Sequence, residues 1–283
     1  GRFTDHPGLP VTGGAFPRPP EAPFPLSTNY EETMLLKDKK CLIFGVANNR
    51  SIAYGIASCF KEQGARLAFS YAGEAIHKRV EPISEELGGE FIFPCDVTSD
   101  EDIAAAAALV KEKGGSVDVL VHSVAFANRE DLTKRFIETS RDGFATALNV
   151  SAYSLTALCH AFEPMLNPGA SVLTMTYYGA QKIITNYNVM GVAKAALEAS
   201  VRYLSVDLGA KDVRINAISA GPLKTLASSG ISDFKQIFNH IEEHAPLRRN
   251  VTTEDVGKAA VFLASDLGSA VTGEIMFVDC GYN

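Results

Sequence analysis

The sequence predicts a doubly wound α/β fold, one parallel seven-stranded sheet with helices on both faces. Three observations predict it. From Lys37 onward, short apolar runs alternate with helical stretches. The runs are nearly continuous in apolar residues, as strands covered on both faces must be. No repeat or interdomain linker interrupts the pattern after residue 37, and 283 residues suit a single large α/β domain.

The elements follow in order. Residues 1–33 hold seven of the 13 prolines and almost no periodic apolar pattern. Such a segment buries too little surface to offset its ordering entropy, so it reads as a disordered or dispensable extension. It lacks the apolar core of a secretory signal, and Asp5, Glu21, Glu31 and Glu32 are unlike a transit peptide. Met34 is a plausible start, and residues 34–283 form the predicted domain. Cys41–Val46 reads as a buried strand and Ile52–Lys61 as a helix. Leu67–Tyr71 is the second strand, and Glu74–Leu87 the second helix, followed by Gly88-Gly89. Phe91–Cys95 is the third strand, after which Ser99 or Asp100 caps an alanine-rich helix running to Lys113. Val117–Val124 and Ser171–Tyr177 are the fourth and fifth strands, separated by a long helix over about 141–166. A second long helix covers 187–209. Val213–Ser219 and Ile275–Val278 complete the sheet.

Composition narrows the function. Hydrophobic residues make up 46% and charged residues 21%, an ordinary globular balance. A net charge of −7 argues against a nucleic-acid binder, which needs a basic face. No run approaches the ~18 apolar residues of a spanning helix. Cys41, Cys59, Cys95, Cys159 and Cys280 are scattered, with no CxxC, which fits reduced thiols and a cytoplasmic protein.

In such sheets, ligands bind beyond the carboxyl ends of the strands. The first strand runs into Gly45-Val-Ala-Asn-Asn-Arg-Ser-Ile-Ala-Tyr-Gly55. Glycine at a strand end admits a pyrophosphate, and the following helix presents free N–H groups and partial positive charge. Asp96 follows the third strand, where a carboxylate can accept a hydrogen bond from an adenine amino group. Ser123-Val124-Ala125 ends the fourth strand. Three strand ends of one orientation point to a dinucleotide site in a Rossmann-type fold.

The most informative stretch is Tyr187-Asn-Val-Met-Gly-Val-Ala-Lys194. On one unbroken helix, seven residues return Tyr187 and Lys194 to within ~20° of the same face, with Met190 on that face too. A tyrosine hydroxyl beside a lysine ammonium can hydrogen-bond an oxyanion, while the lysine holds the diol of a ribose.

From about Leu36 to Gly281, the chain resembles the short-chain dehydrogenase/reductase superfamily. Within it, the chain is most similar to the bacterial, NADH-dependent enoyl-acyl carrier protein reductases. The motifs are Gly45-x5-Ser51-Ile52-Ala53-x-Gly55, Cys95-Asp96-Val97, His122-Ser-Val-Ala-Phe-Ala127, Tyr187-x6-Lys194 and Ile218-Ser-Ala-Gly-Pro-Leu-Lys-Thr-Leu-Ala227. Most of the superfamily has Tyr-x3-Lys, whereas here the fourth residue after Tyr187 is Gly191. The resemblance implies reduction of the trans-2 double bond of an enoyl thioester in fatty acid biosynthesis. Hydride would go to the β carbon and charge would develop on the thioester oxygen.

It also implies roles for matching positions. Tyr177, Tyr187 and Lys194 would be catalytic. Tyr187 would bond the thioester carbonyl, and Lys194 the nicotinamide ribose. Gly45, Ala47, Ser51 and Ile52 would lie at the pyrophosphate end. Ala72, Asp96 and Val97 would lie around the adenine, with Ala72 standing where some members have glutamine. Ser123, Val124 and the run Leu223, Lys224, Thr225, Leu226 and Ala227 would contact the nicotinamide half of NADH/NAD. Ala127, Tyr177, Tyr187 and Met190 would meet the substrate. Tyr178 should point away from Tyr177, because strand side chains alternate. An acyl carrier protein would deliver the thioester to a homotetramer. A lid is expected within about 222–244.

Two other constellations compete. His240-Ile-Glu-Glu-His244 matches the HxxEH pattern of inverted zinc peptidases but offers no third ligand, so a solvated helix face and no metal are expected. Lys235, Arg248 and Arg249 read either as a docking patch for an acidic carrier or as solvated charges.

Overall fold

Strand and helix alternate as the apolar pattern predicts, in a computed structural model that describes residues 34–225 and 234–283, side chains at 234, 235 and 237 excepted. The expectation for residues 1–33 therefore lies outside the described residues, as do Leu226 and Ala227.

The strands are β1 (Lys40–Phe44), β2 (Arg66–Tyr71), β3 (Phe91–Pro94), β4 (Val117–His122), β5 (Leu166–Thr176), β6 (Arg214–Ala220) and β7 (Ile275–Val278). They form one sheet in the order β3-β2-β1-β4-β5-β6-β7, with every neighbouring pair parallel. The α-helices are α1 (Ile52–Glu62), α2 (Glu74–Leu87), α3 (Asp100–Lys113), α4 (Arg129–Thr133), α5 (Arg141–Leu148), α6 (Ser154–Phe162), α7 (Asn188–Gly209), α8 (Phe234–His244) and α9 (Thr253–Ala264).

Successive strand residues feed two separate cores because strand side chains alternate. Cys41 and Ile43 of β1 pack with Ala57 and Phe60 of α1 and Val256 and Ala260 of α9. Leu42 and Phe44 face the other way, toward Leu155 and Leu158 of α6 and Leu197 and Val201 of α7. Burying both faces is what makes each strand read as a continuous apolar run. Caps fix the helix starts: Ser51 accepts from the Tyr54 N–H, and Ser99 from the Asp102 N–H.

Several boundaries differ from the sequence expectation, each for a local reason. β1 stops at Phe44 because Gly45 turns the chain at φ +97°. β4 stops at His122, so Ser123 and Val124 lie on the loop beyond it. The helix expected over 141–166 is broken by a π turn at Asn149–Tyr153 and ends in a 3-10 turn at Glu163–Met165 containing Pro164. α9 escaped the sequence reading, although Thr252 and Asp255 form a reciprocal capping box at its start. Among the described residues, no helix is long and apolar enough to cross a membrane.

Candidate active site

Strand order reverses between β1 and β4, and a cavity of about 380 Å³ opens beyond the carboxyl ends of β1, β4, β5 and β6. That is where an open α/β sheet binds ligands, and the volume falls in the range of ligand pockets.

One end presents the start of a helix. Gly45 and Ala47 of the loop after β1 line it, as do Ser51 and Ile52 at the start of α1. A Cβ on Gly45 would collide with the Ser123 carbonyl, so the loops after β1 and β4 meet closely only because residue 45 is glycine. The Ser51 hydroxyl donates to the Asn48 carbonyl at 2.7 Å, which folds the loop back and leaves the 11-residue α1 directed into the cavity. Ser123, Val124 and Ala127 continue the wall on the β4 side, and Leu223 and Thr225 on the β6 side.

The residues expected around adenine lie outside this cavity. Ala72 and Asp96 follow β2 and β3, are exposed, and stand one and two strands beyond β1. At ~5 Å per strand, only an elongated ligand reaches both regions. One Asp96 carboxylate oxygen accepts from the Thr98 N–H at 2.9 Å and hydroxyl at 2.7 Å. Val97 is buried in the core shared with α3. Lys224 is exposed and its ammonium lies 4.2 Å from the centre of the Phe238 ring on α8, rather than lining the cavity.

The opposite wall carries Tyr177, Tyr187, Met190 and Lys194 together. The tyrosine rings pack edge to face, with centroids 4.9 Å apart and planes at 73°. Tyr178 turns away and packs against Phe277 and Tyr282. Tyr187 and Lys194 do not share the one unbroken helix that their spacing predicts. Tyr187 is the N-cap of α7, and Asn188 adopts φ +41°, which breaks the helical phase between them. Asparagine tolerates that conformation, and the Asn188 amide donates to the carbonyls of Leu132 at 3.1 Å and Lys134 at 2.7 Å. The Met190 N–H donates to the Tyr187 carbonyl, so the first turn of α7 still fixes Tyr187. Gly179 lies beneath the Tyr187 ring, where a Cβ would stand 2.8 Å from Cε1.

Electrostatics suit hydrogen-bond donation. Burial, then Tyr282, pushes the Tyr177 phenol up to about 12. Burial, then Tyr177 and Glu198, pushes Tyr187 higher still. Both are neutral donors at pH 7. Lys194 is 5% exposed, donates to the Met175 carbonyl at 2.7 Å, and keeps two further N–H donors. Burial brings it down to about 8, with the Glu198 carboxylate opposing that fall.

Sequence reasoning missed three polar residues behind this wall. His122 is fully buried between Thr174 at 2.7 Å and Ser154 at 2.8 Å. Ser154 donates to the Val150 carbonyl, so it accepts from His122 Nε2–H, and Nδ1 accepts from Thr174. Burial, then the Lys194 charge, holds His122 down to about 3, hence neutral. Thr176 lines the cavity and donates to Glu198 at 2.9 Å. A charged residue four places after Lys194 was the available signal for Glu198.

The competing constellations are engaged locally. The His240 and His244 rings stack 4.0 Å apart, and His244 Nδ1 bonds the His240 carbonyl at 2.7 Å. Arg249 makes a two-pronged pair with Asp255 at 2.6 and 3.0 Å, and Arg248 donates to the Glu243 carbonyl. The Lys235 side chain lies outside the described residues, as does part of the expected lid.

A family model described as enoyl-(acyl carrier protein) reductase matches residues 45–283. An NADH-dependent enoyl-acyl-carrier-protein reductase of Rhizobium meliloti is 53% identical over 249 residues, covering 88% of this chain and 92% of that protein. One of Rickettsia typhi is 53% identical over 251 residues, covering 89% of this chain and 96% of that protein. A crystal structure of the Bacillus cereus enoyl-acyl carrier protein reductase with NADP+ and an indole naphthyridinone superposes with a TM-score of 0.86 at 50% identity. It covers 88% of this chain and 97% of that one.

Proposed function

This chain belongs to the enoyl-(acyl carrier protein) reductase family, and from that premise we propose how its own residues carry out the reaction. The protein is an NADH-dependent oxidoreductase of fatty acid biosynthesis that reduces the carbon–carbon double bond of an enoyl thioester. Acyl carrier protein bears that thioester.

The site fits the cofactor by its own construction: the close approach at Gly45, the α1 start opening on the cavity, and a buried ammonium with two donors to spare. Gly45, Ala47, Ser51 and Ile52 would hold the pyrophosphate, Lys194 a ribose diol, and Ser123, Val124, Leu223 and Thr225 the nicotinamide half. Ala72, Asp96 and Val97 would lie along the adenine end, and Lys224 with Leu226 and Ala227 would continue the nicotinamide-side loop. Bound NADH supplies the hydride to the β carbon. Tyr187 donates a hydrogen bond to the thioester oxygen as negative charge develops there, and its raised pKa keeps the phenol protonated for that role. Tyr177 packs on the Tyr187 ring and limits its rotation. Met190 and Ala127 form the apolar part of the wall toward the substrate. A homotetramer and a cytoplasmic location belong to the same reading, supported respectively by apolar side chains exposed on α7 and by five free, buried cysteines. Residues 1–33 would be dispensable to residues 34–283.

The observation that carries the assignment is a neutral tyrosine and a buried lysine facing one cavity beside a helix start. The test is turnover of NADH with crotonyl or acetoacetyl thioester. Faster reduction of the crotonyl substrate is expected, and faster reduction of acetoacetyl would overturn the reading.

A further inference from the structure

Glu198 is 4% exposed and sits one helical turn after Lys194. Its two carboxylate oxygens are occupied differently. Oε1 accepts from the Thr176 hydroxyl at 2.9 Å, and Oε2 from the Gln181 amide at 3.3 Å. Those partners bracket the segment that carries Tyr177 and contains Gly179, on which Tyr187 rests. Among the described residues, no cation stands within 4 Å of Glu198. A buried carboxylate without an ion pair is expensive. A glutamine could accept one of these bonds through its oxygen and replace the other by donating its NH2 to the Thr176 or Gln181 oxygen, at a smaller desolvation penalty. What glutamine lacks is the charge, and on a continuous helix residues four apart share a face.

We propose that Glu198 is a positioning residue for the reductase: its carboxylate keeps Lys194 in the ammonium form and clamps both ends of the Thr176–Gln181 segment. Burial alone would drive the lysine toward the neutral amine, which has lost one donor and its charge. The titratable groups around Lys194 are Glu198 on its own helix, Tyr187 at the helix start, Tyr177 after β5 and His122 at the end of β4. His122 is neutral and the tyrosines are protonated, so Glu198 supplies the negative charge among them. The inference rests on the assignment of Lys194 to the cofactor ribose, and its test separates the two.

The experiment uses Glu198→Gln in the full chain, with selective 13C lysine labelling to follow the Lys194 titration without cofactor. Lys194→Arg identifies the signal, and thermal melting reports folding. The Lys194 midpoint should fall by ~1 pH unit in Glu198→Gln. NADH affinity, read by fluorescence titration, should then be about fivefold weaker at pH 8 and near wild type at pH 6, following the protonated fraction. A purely structural role would lower affinity alike at both pH values. An unchanged Lys194 midpoint would overturn the proposal. If Glu198→Gln does not fold, Glu198→Asp carries the test. It keeps the charge but withdraws it by a methylene, so a partial fall supports the proposal and no fall refutes it. Lys194→Ala with undiminished NADH affinity would instead sink the ribose assignment, while the titration still decides the role of Glu198.

Discussion

Gly191 approaches Gly179 so closely that a Cβ at 191 would stand 2.7 Å from the Gly179 carbonyl oxygen. This contact holds the first turns of α7 against the turn that follows Tyr177. It also explains why residue 191 is glycine, because any side chain there would meet backbone. Gly191→Ala should gain about 1 kcal/mol of helix propensity, yet backbone cannot yield as a flexible side chain would. The overlap wins, pushing α7 and with it Tyr187 and Lys194 away from the turn. Crotonyl thioester turnover should fall by about 10-fold or more. Turnover at the wild-type rate would mean that this contact does not set the geometry.

Tyr187→Phe removes a donor and leaves the ring on Gly179 and against Tyr177. The turnover number for crotonyl thioester should drop by about 100-fold or more, as for loss of an oxyanion donor. NADH affinity and the melting temperature should stay near wild type. An undiminished rate would remove Tyr187 from the chemistry.

The sheet was legible because two-sided burial writes itself as unbroken apolar runs, and Glu74–Leu87 and Ile275–Val278 coincide with observed elements. Spacing alone points to Tyr187 and Lys194, and the family resemblance to Tyr177, but Tyr187 does not lie on the unbroken helix that the spacing implies. A positive φ at Asn188 depends on carbonyls of Leu132 and Lys134, more than fifty residues away in the chain. Gly55 read as part of the phosphate loop, whereas a Cβ there would stand 2.6 Å from the Thr253 carbonyl of α9, so close helix packing requires it. The roles of Glu198 and His122 were hidden for a similar reason, although His122 opens a motif and Glu198 follows Lys194 by one turn. Their hydrogen-bond partners, Thr174 and Ser154 for His122 and Thr176 and Gln181 for Glu198, are brought to them by the fold.

His122 should make stability depend on pH. Its folded-state pKa is held down to about 3, against an ordinary value of 6.5. Above pH 6.5 neither state carries the proton and stability is full. As pH falls below 6.5 the unfolded chain takes up a proton that the folded chain refuses, so stability falls until about pH 3. Between pH 6.5 and 5, where ordinary carboxylates remain ionised, this amounts to ~2 kcal/mol. Urea unfolding across that range should show the slope, and His122→Asn should flatten it while lowering stability at pH 7.5. An equal slope in both proteins would place its origin elsewhere.

Cofactor choice should favour NADH over NADPH. The tip of β2 continues as Ala72-Gly73-Glu74, with no cation before α2 begins. The cations that follow lie on the exposed side of α2: Lys78 pairs with Glu74 at 3.4 Å and Arg79 is exposed beside it, while the His77 ring packs on Tyr71 at 4.5 Å. A 2′-phosphate arriving there would meet the Glu74 carboxylate, which already occupies the Lys78 ammonium. NADH should therefore give the higher kcat/KM, and Glu74→Gln should narrow the gap by releasing Lys78. Equal values for the two cofactors in the wild-type protein would contradict this account.

Assembly should depend on the outer surface of α7. Tyr203 is 80% exposed and Val206 74%, three residues apart and therefore neighbours on one helix face. Tyr153, at the π turn before α6, is 55% exposed and lies with Leu204 along the groove between α3, α6 and α7. Large apolar side chains clustered on a helical surface are costly to leave in water, and pairing with a second copy of the same surface removes them. Such an interface is self-complementary, so a charge placed at 203 would enter it from both copies. Tyr203→Glu combined with Val206→Glu should shift the sedimentation coefficient of the wild-type assembly to that of a smaller species at micromolar concentration. The α7 residues Lys194 and Glu198 should then lose part of their support, lowering turnover alongside assembly. A wild-type protein that sediments as a monomer, or a double variant that still assembles, would move the interface off this helix.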